Sequence, residues 1–241
     1  VFAGGWTLEA AEAVCGDEGV DVLEGLGTLV DDSASGPLEG LSYVEFLAPG
    51  LLAATAVQIA GSEGTFPVMA GTTWTRTYYA MLATPLSAVD VAMGHLVWVG
   101  TRIVISCSAI LAVVAAFGAT STPRAVLAIP AAVLTGLAIA GPGAAYSVGL
   151  RSGGGLAGFN RFVIMPLFLF SGTFFPVTQL PGWAQGLAWV VPPWHGVELC
   201  RGLMTDRLDG GRAAIHVAYL LAWVVAGAWV AAVRFRKRLV V

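Results

Sequence analysis

Charged residues are scarce in this 241-residue chain, because Asp, Glu, Lys and Arg together make up 11% of it, against about a quarter of a typical soluble domain. Hydrophobic residues make up 57%, and the mean hydropathy is +0.80. Such a composition excludes a disordered chain and an ordinary soluble globule, since both need many more polar groups in contact with water. It predicts an integral membrane protein with several spans.

Basic residues are missing from the first part of the chain. The first is Arg76, and the only lysine is Lys237, near the C-terminus. Ten of the 15 acidic residues precede residue 46. No basic patch of the kind that follows a phosphate backbone is present, so we expect no nucleic-acid partner. A Walker A loop needs a lysine after its glycines, so this chain does not hydrolyse ATP by that device.

Cysteine is also rare, and the familiar catalytic motifs are missing. The cysteines are Cys15, Cys107 and Cys200. They form no CxxC pair, which argues against a zinc or thioredoxin-type site. HExxH and GxSxG are absent. The histidines are His95, His195 and His216. Because they stand far apart, we expect no catalytic cluster and no cofactor bound by this chain, and we interpret His216 as a core histidine rather than a proton relay.

Long uncharged runs dominate the chain instead. A helix needs ~20 apolar residues to cross a ~30 Å hydrocarbon core. Uncharged runs cover 46–62, 103–123, 125–150, 162–197 and 213–233. The fourth run would reach ~54 Å as one helix at ~1.5 Å per residue, and prolines interrupt it. We therefore predict one crossing over about 162–177, followed by a short re-entrant or interfacial helix over 183–195. The pattern predicts an all-α, polytopic fold with five crossings.

The basic residues also predict the orientation. With the basic tail 234–238 in the cytoplasm, eight of the 12 basic residues fall on the cytoplasmic side, as the positive-inside rule expects. We therefore expect a multi-pass protein of the plasma membrane with a cytoplasmic C-terminus. Five crossings then place the acidic segment 1–42 outside. We interpret this segment as the remnant of a first helix and an external loop, and residues 43–239 as the transmembrane domain.

The longest cytoplasmic segment in this arrangement, 63–101, carries an aromatic pattern. We predict a helix over about 74–83 that ends at Thr84-Pro85. Near one face of it lie Trp74, Tyr78, Met81 and Leu82. One interpretation is an amphipathic helix at the lipid interface. The other is a docking helix for a cytoplasmic partner, because aromatic and arginine side chains are enriched in protein contacts.

A few ionisable residues lie close to the predicted spans, where an unpaired charge is costly. Glu63 pairs with Arg76 or Arg102, or it reaches water alone. His195 and Glu198 follow the tryptophan-rich short helix. They line an exit path, or they are interfacial capping groups. The tryptophans of this region are interpreted as an aromatic belt.

Several segments occur together in a characteristic order. After the first apolar span come Trp-x-Arg-x-x-x-x-Met-Leu-Ala-Thr-Pro-Leu-Ser from Trp74, the Leu169–Gln185 block with Phe-Phe-Pro-Val and Leu-Pro-Gly-Trp, and Pro-x-x-His-x-x-Glu-x-x-Arg from Pro192. Over about residues 41–239 the chain resembles the permease subunits of bacterial ABC-2 type exporters. Within that family it is similar to the nodulation lipo-oligosaccharide and daunorubicin-type drug permeases.

This resemblance implies six transmembrane helices, of which the first is degenerate or truncated here; only residues 25–31 resemble its end. It implies export of a drug, a lipid-linked compound or an oligosaccharide out across the cytoplasmic membrane. The partners it implies are a separate ABC ATP-binding subunit that carries ATP and Mg, a second copy or a related permease, and membrane lipid. The chain itself is then not an enzyme. The alternatives are a membrane-embedded enzyme that modifies lipid or glycan, and a non-transporting scaffold.

The resemblance also selects two groups of candidate residues. The ATPase-coupling group is Trp74, Arg76, Tyr78, Tyr79, Met81, Leu82 and Pro85. The re-entrant or exit group is Phe174, Phe175, Pro176, Pro181, Trp183, His195 and Glu198. No catalytic residue and no metal ligand is expected in either group.

Overall fold

The computed structural model describes residues 43–116, 122–174, 176–179 and 181–240. Within these ranges the chain forms helices and turns and no strand, which confirms the predicted all-α fold. The predictions for segment 1–42 and for Phe175 lie outside the described residues.

The helices are numbered here in chain order. They are α1 (Tyr43–Glu63), α2 (Phe66–Thr73), α3 (Thr77–Leu82), α4 (Ala88–Ala116), α5 (Ala128–Ser147), α6 (Gly154–Leu169), α7 (Gly182–Val190), α8 (Pro192–Met204) and α9 (Gly210–Leu239). A 3-10 turn, Pro123–Leu127, leads into α5, and another lies at Val177–Gln179. The middle of α6, Asn160–Ile164, is π-helical.

Three helical segments of the described part are long and apolar enough to cross a membrane: Ala88–Ala116, Pro123–Ser147 and Gly210–Leu239. The 21 residues of α1 reach ~31 Å at ~1.5 Å per residue, and α6 is a shorter apolar helix. The predicted second crossing, 103–123, is displaced. Its helix begins at Ala88 and runs through Arg102, because that arginine forms an ion pair with Glu63 of α1 and so need not end the helix.

Helix α5 lies at the centre of the bundle and packs against α4, α8 and α9. Its glycines allow close approach. A Cβ atom at Gly136 would lie 3.0 Å from the carbonyl oxygen of Ala56 on α1, and one at Gly141 would lie 2.7 Å from the carbonyl carbon of Gly227 on α9. These two glycines therefore bring the backbone of α5 close to the backbones of α1 and α9.

The two ends of the bundle differ in what they carry. The Glu63 end holds α2, α3, the start of α4 and the end of α9. A separate apolar cluster lies there, formed by Val68, Tyr78, Ala88, Val91, Ala92, Ala144, Val148, Phe235 and Leu239. The opposite, Arg124 end holds an exposed ion pair in which Arg124 donates to Asp206 at 2.7 Å.

We predict that Gly141→Ala destabilises the bundle by about 1–3 kcal/mol, because the added methyl group meets backbone that cannot move aside. Gly94→Ala is the matched control. Nothing lies within 4 Å of a Cβ atom at Gly94 in α4, so this change gains helix propensity of up to ~1 kcal/mol. Thermal unfolding of the detergent-solubilised protein measures both, and equal midpoints for the two variants would contradict the packing described.

Candidate functional site

The segment formed by α2 and α3, which we call the coupling segment because it carries most of the candidate coupling residues, consists of two short helices rather than one. Helix α2 ends at Thr73, Trp74 follows it, and Arg76 adopts a left-handed backbone with φ of 53°. Helix α3 begins only at Thr77. The prediction of a single helix from about residue 74 is therefore wrong at its start, because a left-handed residue interrupts the helical path. The Trp74 ring packs instead on Phe66 of α2, with ring centroids 5.3 Å apart.

Tyr78 connects α3 to three other helices. Its side chain is buried, its hydroxyl lies 3.3 Å from Nδ1 of His95 on α4, and its ring packs on Phe235 of α9 at 5.6 Å. Nε2 of His95 lies 3.0 Å from the Glu63 carbonyl oxygen at the end of α1. Because a carbonyl only accepts, Nε2 donates there, so Nδ1 of the neutral ring accepts from Tyr78. A chain of two hydrogen bonds thus runs from α3 to α1.

The charges around Tyr78 favour the same hydrogen bond from its hydroxyl to His95. The Glu63 carboxylate is paired with Arg102, which is one of the alternatives that the sequence left open. Burial, together with the nearby Glu63 charge, raises the pKa of Tyr78 to about 12. The hydroxyl therefore keeps its proton at neutral pH and remains a donor.

The candidate coupling residues divide into two sets. Tyr78 is buried and Leu82 is half-buried, so both face the bundle. The others are exposed, and we call them the coupling patch: Trp74, Arg76, Tyr79, Met81 and Pro85. Trp74 is 56% exposed and Met81 is 43% exposed. The prediction that Tyr78 and Leu82 share one face with Trp74 and Met81 is therefore wrong, because the first two face the bundle and the other two are exposed.

The segment after α6 forms a helical hairpin. Helices α7 and α8 are separated by an extended residue, Val191, so the single short helix predicted over 183–195 is two helices. The tip of the hairpin lines a cavity together with Pro142 of α5 and Trp223 of α9. Both of these residues lie well inside their helices, so the hairpin enters the bundle and turns back. This is the geometry expected of a re-entrant element.

A pair of histidines joins the hairpin to α9. Nδ1 of His195 lies 2.8 Å from Nδ1 of His216, and Nε2 of His195 lies 2.9 Å from the Trp189 carbonyl oxygen. The Tyr219 ring stacks on His195 at 4.1 Å, and its hydroxyl donates to the Val190 carbonyl. Sequence spacing did not predict this contact between the two histidines. They are distant in sequence, but α8 and α9 pack side by side.

Arg201 is a site residue that the sequence-based list did not include. It donates to Glu198 at 2.7 Å and to the Gly172 carbonyl at 2.9 Å, and its guanidinium lies 4.0 Å from the centre of the Phe46 ring. It therefore ties α8 to α1 and to the loop after α6. The three-residue spacing of Glu198 and Arg201 is the signal that could have identified the ion pair.

The rest of the exit group does not converge on one point. Phe174, Pro181 and Trp183 are exposed at the Arg124 end, whereas Pro176 is buried and His195 lies deeper in the hairpin. Trp183 is 72% exposed, against 43% for Phe174. Its position agrees with the aromatic belt that the sequence suggested.

The structure is an apolar helical bundle with a helical hairpin towards the Arg124 end and a short, exposed segment at the Glu63 end. The ABC-2 type transporter family matches residues 25–205 of the chain. That is more than half of its length, and the chain belongs to this family. It is therefore a membrane protein of the ABC-2 transporter class, as the sequence resemblance indicated.

Its relatives are similar over most of their length. Nodulation protein J of Sinorhizobium fredii is 32% identical over 228 residues, which cover 91% of this chain and 84% of that protein. Nodulation protein J of Bradyrhizobium diazoefficiens is 32% identical over 215 residues, covering 89% of this chain and 80% of the relative. Nodulation protein J of Rhizobium meliloti is 29% identical with the same coverage.

We predict that Tyr78 supports the coupling segment structurally and that Tyr79 does not. Tyr78→Ala removes a buried ring and should cost about 3–5 kcal/mol. Tyr78→Phe keeps the ring, and should cost about 0.5–1.5 kcal/mol through the lost hydrogen bond to His95. Tyr79→Ala, on the exposed side, should change stability by less than about 0.5 kcal/mol. Thermal unfolding of the solubilised protein ranks the three, and a Tyr79 variant as unstable as Tyr78→Ala would refute this assignment.

Proposed function

We propose that the chain is the permease subunit of an ATP-driven exporter, with ATP and Mg bound by a separate ATP-binding subunit. The observation that carries the proposal is the coupling patch. It exposes aromatic, sulfur-containing and arginine side chains, the types enriched where proteins bind each other. The other side of the same short helix is bonded to the transmembrane helices through Tyr78.

This arrangement supports a mechanical role. A partner bound to the coupling patch moves α3, and α3 contacts α4 through His95 and α9 through Phe235. Motion of the partner on ATP binding and hydrolysis therefore reaches two long helices directly. For this to drive transport, the partner must bind the two states of the permease with different affinity.

The orientation that we propose places the Glu63 end in the cytoplasm. The last turn of α9 carries Arg236, Lys237 and Arg238 and lies at the same end as the coupling patch. Basic residues concentrate on the cytoplasmic side of short-loop membrane proteins. The ATP-binding subunit would then meet the patch in the compartment where ATP is present.

The substrate that we propose is a drug, a lipid-linked compound or an oligosaccharide, moved outward across the cytoplasmic membrane. A second copy of the chain, or a related permease, would complete the path. The hairpin of α7 and α8, at the opposite end from the coupling patch, would then border the exit.

The test is co-expression with the candidate ATP-binding subunit, followed by purification in detergent. Tyr79→Asp and Met81→Asp should each reduce retention of that subunit by at least about tenfold, since a desolvated charge in an interface costs well over ~1.4 kcal/mol. Val126→Asp is the matched control, because Val126 is a 62% exposed apolar residue in the turn at the Arg124 end.

Two readouts separate the alternatives. Reconstituted into liposomes, the wild-type complex should hydrolyse ATP faster when a transported compound is added, and the patch variants should lose that stimulation. Retention of the ATP-binding subunit without any stimulation would favour the scaffold. Equal loss of retention with Val126→Asp would show that the patch is not the docking surface.

A further inference from the structure

A groove runs along the outside of the bundle between α5 and α9. Its cavity of about 340 Å³ is lined by Tyr146, Ala226, Val230 and Arg234, together with Pro142 and Trp223. Trp223 and Val230 are more than a third exposed, so the groove opens sideways. In a membrane it faces lipid rather than water.

A second cavity continues this groove. It has about 250 Å³, and it shares Pro142 and Trp223 with the first cavity. Beyond them it is lined by Phe159 and Val163 of α6 and reaches Val191 at the tip of the hairpin. The two cavities therefore form an apolar track from Arg234, near the end of α9, to the hairpin tip.

The part of this track between Arg234 and Trp223 matches one leaflet of a bilayer in length. Trp223 and Arg234 are eleven residues apart on α9, which is ~16 Å at ~1.5 Å per residue. Half of a ~30 Å hydrocarbon core is ~15 Å. An acyl chain that starts at the level of Arg234 would thus reach the level of Trp223.

Charge distinguishes the Arg234 end of the track. Within the described part of the chain, Arg234 is the one charged residue that lines either cavity. Among the described residues it makes no ion pair and no hydrogen bond through its side chain. A phosphate is a suitable partner for a guanidinium at the boundary of the hydrocarbon core, because it carries the opposite charge and can accept two hydrogen bonds from the guanidinium.

We propose that this track is a binding site for an anionic phospholipid. The lipid phosphate lies on Arg234, and one acyl chain follows the groove between α5 and α9 until its end contacts the hairpin tip. The bound lipid becomes part of the wall against which the hairpin packs. This site is separate from the coupling patch and does not rest on the proposed function.

The role of the Arg234 charge is tested with the full-length chain purified in detergent. The protein is titrated with phosphatidylglycerol or phosphatidylcholine of identical acyl chains, and native mass spectrometry counts the bound lipid. The wild type should prefer phosphatidylglycerol. Arg234→Gln should bind it about fivefold more weakly, the effect of ~1 kcal/mol expected for one basic residue, with a smaller loss for phosphatidylcholine, which carries the same phosphate but no net charge. Arg236→Gln, on the opposite side of α9, is the control and should keep the preference.

The groove is tested separately. Ala226→Phe fills the track and should reduce binding of both lipids, whereas Val225→Phe, on the opposite side of α9, should not. Size-exclusion chromatography verifies that each variant is folded. An unchanged preference in Arg234→Gln, or wild-type lipid binding by Ala226→Phe, would overturn the proposal. A shift in oligomeric state with Ala226→Phe and no change in bound lipid would instead identify the groove as a contact between copies of the chain.

Discussion

The close approach of α5 to α9 is the contact on which the rest of the bundle depends. Gly141 and Gly227 lie backbone to backbone, and α5 also packs on α4 and α8. In lipid, burying an apolar side chain between helices gains little free energy, because the lipid tails are equally apolar. Helices therefore associate through close packing. A central helix rich in small residues lets its neighbours pack closely around it, and the grooves on either side of Pro142 follow from that geometry.

Helix α9 contacts elements at both ends of the bundle. Near its C-terminus, Phe235 packs on the Tyr78 ring of the coupling segment. Nearer its N-terminus, His216 and Tyr219 hold the hairpin through His195 and the Val190 carbonyl. A single 30-residue helix therefore contacts both the segment where a partner would dock and the element that borders the proposed exit. Because a helix is stiff along its axis, an axial displacement of one end of α9 would also move its other end.

Part of this architecture could be predicted from the sequence, because the bilayer thickness sets the minimum length of an apolar helix that crosses it. The spans of α5 and α9 agree with the sequence-based predictions, whereas α6 ends at Leu169, short of the crossing predicted over about 162–177. The start of α4 was misplaced, because an ion pair with Glu63 allows Arg102 to lie inside a helix. The start of α3 was misplaced as well, because nothing local marks Arg76 as left-handed.

Hydropathy and proline placement by themselves determined that this is a membrane protein with several apolar runs and that the fourth run is interrupted, since both follow from the cost of placing polar groups in hydrocarbon. Only the tertiary structure decided which side chains meet. His195 and His216 become neighbours, Tyr78 turns inward while Tyr79 stays out, and Arg201 reaches Gly172. These pairings depend on how helices distant in sequence are rotated and packed, and no local pattern in the chain encodes that rotation.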